Sequence, residues 1–61
     1  MYKIKLIRNN VIYKTWYYET KEQFEKWYIQ HSKYRSSYDV IAYEQIYNIK
    51  TNTIEWKQIR K

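Results

Sequence analysis

Thr20-Lys21-Glu22-Gln23-Phe24-Glu25-Lys26-Trp27-Tyr28-Ile29-Gln30-His31 decides the architecture of this chain. Its first four residues fit the capping box S/T-x-x-E/Q. In that device the Thr20 hydroxyl accepts from the backbone N–H of Gln23, and the Gln23 side chain reaches back to Thr20. Phe24, Trp27, Tyr28 and His31 then recur at i, i+3, i+4 and i+7, which is one stripe of a helix surface. Glu22–Lys26 and Lys21–Glu25 lie four apart on the outer side, each pair adding about 0.2–0.5 kcal/mol. The spacing predicts a helix that ends near His31–Lys33.

Upstream, Tyr2 to Tyr18 alternates as a hairpin around Asn9-Asn10. Asn tolerates positive φ, as a two-residue type I′ loop requires. A regular ladder from that loop pairs Ile7 with Ile12, Leu6 with Tyr13, Lys5 with Lys14, Ile4 with Thr15, Lys3 with Trp16 and Tyr2 with Tyr17. One face then carries Tyr2, Ile4, Leu6, Tyr13, Thr15 and Tyr17, the candidate core. The other carries Lys3, Lys5, Ile7, Ile12, Lys14 and Trp16.

Downstream, Lys33–Asp39 reads as a loop. Val40–Lys50 and Thr53–Ile59 read as a second hairpin turning at Thr51-Asn52. That register pairs Ile49 with Ile54, Tyr47 with Trp56 and Gln45 with Gln58. With Ile41 and Tyr43 these form an apolar face, opposite Asn48, Glu55 and Lys57. Val40 and Ala42 break the alternation, which a bulge near Glu44-Gln45 would explain. The order ββαββ predicts one α+β domain over residues 1–61, a small antiparallel sheet with one helix packed on one face.

Sixty-one residues support only a thin core. There is no cysteine, so disulfides and thiolate metal sites are excluded. Nine Tyr, three Trp and one Phe supply the bulk instead. With no glycine there is no glycine-rich phosphate loop. No apolar run approaches the ~20 residues of a membrane span. Charges at Lys3, Lys5 and Arg8 interrupt the first apolar stretch, unlike a signal peptide. A cytoplasmic chain without membrane attachment is the expectation. The richness in Lys, Ile, Asn and Tyr suits the A+T-rich coding sequence of a phage or mobile element.

Twelve Lys and Arg against six Asp and Glu give a net charge of +6, which favours a polyanionic partner. Catalysis is not expected. His31, the one histidine, sits on the apolar stripe as a structural residue, and Glu22 and Glu25 each have a lysine four residues away. No metal site or cofactor is expected.

Binding residues stand out in two places. Lys5 opposite Lys14 is an unfavourable like-charge pair unless something anionic covers it. Lys3 and Trp16 flank it, and cations beside a ring are what single-strand binders use. A two-stranded ribbon can also enter the DNA major groove. The second place is the loop with Lys33, Tyr34, Arg35 and Tyr38, which mixes basic, aromatic and hydroxyl groups. The leading expectation is a small basic accessory protein that binds DNA or a DNA-bound complex and modulates it. A second is a modulator that docks an aromatic patch on a larger enzyme, as a recombination directionality factor does on a recombinase. A third is a homo-oligomeric structural module.

Overall fold

The computed structural model describes all 61 residues. Strands β1 (Tyr2–Arg8) and β2 (Val11–Tyr18) form the first hairpin, helix α1 spans Lys21–His31, and strands β3 (Asp39–Asn48) and β4 (Thr53–Arg60) form the second. The four strands make one antiparallel sheet in the order β2-β1-β3-β4. The fold is the α+β ββαββ arrangement that the sequence predicts. No helix is long and apolar enough to cross a membrane.

Helix α1 starts at its expected cap. The Thr20 hydroxyl accepts from the Gln23 N–H at 3.2 Å, and its carbonyl accepts from the Phe24 N–H at 3.0 Å. The helix gives way after His31 to a 3-10 turn over Ser32–Ser36, where a loop was expected. Neither Glu22–Lys26 nor Lys21–Glu25 forms an ion pair. Glu25 instead binds Arg60 of β4 at 2.6 Å, the one salt bridge of the molecule. The Arg60 guanidinium lies over the rings of Phe24 and Tyr28, at 5.2 and 4.9 Å.

The first turn is as expected, with Asn9 and Asn10 at φ 53° and 64°. The ladder beyond it is not. Ile7 opposes Ile12, but Leu6 opposes Lys14, so Tyr13 is an extra residue in β2. One inserted residue moves every later side chain of that strand to the other face. Lys5 therefore opposes Thr15, Ile4 opposes Trp16 and Lys3 opposes Tyr17. The expected Lys5–Lys14 pair does not exist. Lys14, Trp16 and Tyr18 lie on the helix side, and Thr15 and Tyr17 leave the predicted core for the opposite side.

The second hairpin slips by two residues instead. Tyr47 opposes Ile54, Gln45 opposes Trp56 and Tyr43 opposes Gln58. Asn48 explains the slip: its Oδ1 accepts from the Lys50 N–H at 3.0 Å and starts a four-residue loop. Asn52, at φ 55°, completes that loop. A two-residue slip preserves the faces. The bulge falls between Ala42 and Tyr43, with Ile59 as the extra residue, and it turns Arg60 toward the helix.

The core is Ile4 and Leu6 of β1, Val40 and Ala42 of β3, and Phe24 of α1. Tyr2, Trp16, Tyr18, Tyr28 and Tyr38 pack around it, with Tyr2 stacked on Phe24 at 4.8 Å. The face expected to be apolar, with Ile41, Tyr43, Tyr47, Ile54 and Trp56, is the side away from the helix. Val40 and Ala42 do not break a pattern; they are the inward positions of β3.

Candidate nucleic-acid interface

Only one side of the sheet has a second layer. Alternation along four paired strands places Thr15 and Tyr17 of β2, Lys3 and Lys5 of β1, Tyr43 and Gln45 of β3, and Trp56 and Gln58 of β4 on the uncovered side. Their centre is Lys3. Its neighbours across the sheet are Tyr17 and Tyr43, and its Nζ lies 4.3 Å from the Trp56 ring centroid and 5.0 Å from that of Tyr43. The Lys5 ammonium also lies 5.0 Å from the Tyr43 ring centroid. Tyr17 and Trp56 approach each other at 6.2 Å, closing an aromatic frame around Lys3.

This lysine is unusual for a surface strand. It is 9 % exposed, and its ammonium makes no hydrogen bond or ion pair within the protein. No buried side-chain nitrogen is left without a partner, so the ammonium keeps access to solvent through the frame. Burial lowers its pKa from the usual lysine value, and Lys5 lowers it further. Cation–π attraction from two rings offsets part of that cost. No carboxylate shares the centre: Glu44 and Glu55 belong to the other side, and Asp39 stands at the far end opposite Ile7.

The remaining predicted residues lie elsewhere. Lys14 and Trp16 face the helix, where the Trp16 ring stacks on His31 at 3.9 Å and the Lys14 Nζ lies 5.4 Å from Trp16. Lys33, Tyr34 and Arg35 belong to the 3-10 turn. Arg35 is committed within the protein, donating to the Lys61 carbonyl at 2.9 Å and to the Tyr28 hydroxyl. Tyr38 packs on the core and meets Tyr13 edge-on at 5.3 Å. The structure thus keeps Lys3 and Lys5 together and separates them from the other six.

Sequence reasoning missed Tyr17, Tyr43 and Trp56. The signal that carries Tyr43 and Trp56 was present, because both lie on the face read as apolar. Tyr17 was hidden by the bulge at Tyr13. His31 is buried as expected. Its Nε2 lies 2.9 Å from the Tyr18 hydroxyl oxygen, and burial, then Lys33 and Lys14, hold its pKa below the ordinary 6.5. No group of three or more His, Cys, Asp or Glu side chains is placed to hold a metal ion. No protein-family model, curated protein or solved structure matches this chain.

Proposed function

We propose that this chain is a small non-enzymatic protein that binds single-stranded nucleic acid on the open face of its sheet, and so acts on DNA or on a DNA-bound complex. The observation that carries the reading is Lys3, an ammonium without an anionic partner held inside a frame of Tyr17, Tyr43 and Trp56. A phosphate completes its coordination, and bases stack on the rings. Base–aromatic stacking is worth about 1–3 kcal/mol per base. The net charge of +6 supplies the long-range attraction. A duplex suits this surface less well. A two-stranded ribbon fits a major groove, whereas here both hairpins are joined into a broad four-stranded sheet.

Self-association through the same face is disfavoured. A two-fold contact would set Lys3 and Lys5 against their own copies. One observation favours a protein target as the second reading. Tyr47, Ile49 and Ile54 at the tip of the second hairpin are 61, 82 and 65 % exposed, an apolar cluster away from Lys3 and Lys5. Such a partner gives a stoichiometric complex that survives salt.

Anisotropy of a labelled single strand and of the matching duplex, at ~50 and ~200 mM salt, tests the proposal. The expected result is tighter binding of the single strand, with a salt slope that falls by about 0.7 in Lys3→Met. Absence of single-strand binding at the lower salt removes the proposal and leaves the protein target.

A further inference from the structure

Behind the sheet edge formed by β2 lies a second aromatic feature. Trp16, Tyr18, Trp27 and His31 line an open hollow of about 320 Å³, near the lower end of the roughly 300–1,000 Å³ of ligand pockets. Its walls are nearly parallel: the planes of Trp16 and Trp27 are inclined only 16° and 24° to that of His31. Trp27 is 41 % exposed although it belongs to the apolar stripe of α1. His31 is more than nine-tenths buried, with one ring nitrogen bonded to Tyr18 and the other unpartnered yet still open to solvent. The charges nearest this ring are cationic, Lys33 and Lys14. That sign disfavours an ammonium guest and suits a planar group on an anionic backbone.

We infer that this hollow takes one extruded base of the strand bound on the open face. The inference rests on the proposed nucleic-acid reading and adds a second subsite to it. β2 is an edge strand, and its consecutive residues serve both places. Tyr17 points to the open face, while Trp16 and Tyr18 line the hollow. A single strand that crosses this edge stacks one base on Tyr17. It lays a neighbour against the exposed ring of Trp27 at the mouth of the hollow, since Trp27 and His31 already stack on each other at 5.9 Å. Lys14 and Lys33 meet the phosphates on the way. Their ammonium groups now rest 5.4 Å from the Trp16 ring centroid and 5.5 Å from that of Tyr34.

The three tryptophans separate the two subsites. Trp56 reports the open face; Trp16 and Trp27 report the hollow. The test follows the three indole N–H resonances of ¹⁵N-labelled full chain during titration with a mixed-sequence DNA single strand of about 12 nucleotides. Trp→Phe variants assign the signals. The expected result is that all three move and saturate together. Trp27→Ala then weakens binding about tenfold with an unchanged salt slope, and Trp27→Phe restores most of it. Movement of Trp56 alone, with Trp27→Ala at wild-type affinity, overturns the hollow as a base site and leaves the open face standing. Movement of Trp16 and Trp27 alone supports the hollow and overturns the open face. No movement at all overturns both.

Discussion

Under the helix, β1 and β3 present Ile4, Leu6, Val40 and Ala42. On the other side the same strands present Lys3, Lys5, Ile41 and Tyr43. The small and branched residues are sealed, whereas the large rings stay partly in water. Phe24 and the surrounding tyrosines already fill the space below α1, so β3 contributes only Val40 and Ala42 there. Bulk that the core cannot accept is displaced to the open face, where it frames a cation. The two sides differ in whether the protein itself supplies the cover.

The sharpest way to break this comparison is to truncate a ring on each side. Phe24→Ala removes the largest fully buried side chain and should cost about 3–5 kcal/mol. In a domain of this size that is most of the available stability, so circular dichroism should show a largely unfolded population at 25 °C. Tyr17→Ala removes a ring that is 59 % exposed. It should change stability by less than about 1 kcal/mol in urea titration, yet weaken single-strand binding by about tenfold. Equal losses of stability would show that the open face is as structural as the covered one.

Lys3→Met sharpens the same comparison at one atom. The substitution keeps an unbranched stem among Tyr43 and Trp56 and removes a desolvated charge that has no carboxylate partner. Isosteric replacement of such a charge is often neutral or stabilising. The thermal midpoint should stay the same or rise while oligonucleotide affinity falls. A drop in both would mean that the ammonium is there to hold Tyr43 and Trp56, and the binding role would be lost.

The first hairpin shows where the sequence is legible and where it is not. β1 alternates cleanly, and Ile4 and Leu6 are inward as expected. Helix α1 declares itself through Thr20 and the Phe24–His31 stripe, and it forms as read. In β2 both alternate sets carry large rings, Tyr13 and Tyr17 on one and Trp16 and Tyr18 on the other. Lys14 on the second set argues for the wrong face, so the inserted Tyr13 leaves no sign in the pattern. β3 is ambiguous for another reason: Val40 and Ala42 compete with Ile41 and Tyr43, and only the room left beneath Phe24 decides between them. Of the candidate site, Lys3 and Lys5 depended on β1 alone and share one surface. Lys14 and Trp16 depended on the register of β2 and moved to the other side.

A smaller effect follows from pH. Above 6.5 the His31 imidazole is neutral in both the folded and the unfolded chain. The folded pKa is lowered, first by burial and then by Lys33 and Lys14. As pH falls below 6.5 the unfolded chain takes up the proton first, so stability declines until the folded value is passed. Urea midpoints between pH 7.5 and 5 should therefore decrease. Lys14→Gln with Lys33→Gln should lessen the decrease by removing the two cations. A midpoint that rises on acidification would contradict the stacking of His31 inside the aromatic cluster.

The mildest change tests what assigns the two faces of β2. Tyr13 is the extra residue between the pairs Ile7–Ile12 and Leu6–Lys14. Deleting it closes the ladder without changing either pair, because Lys14 then follows Ile12 directly, as Leu6 precedes Ile7. Trp16 and Tyr18 then stay under the helix and Tyr17 stays outside. The loss is the edge-on contact with Tyr38, about 0.5–1.5 kcal/mol, offset in part by a regular ladder. Deleting Thr15 instead, three residues past the Ile7–Ile12 pair, carries Tyr17 inward and turns Trp16 and Tyr18 around. The Trp16 indole resonance, shifted by the His31 ring at 3.9 Å, distinguishes the two. It should persist when Tyr13 is removed and vanish when Thr15 is. If it survives both deletions, the faces are set by the fit of Trp16 against α1, and the bulge merely accommodates that fit.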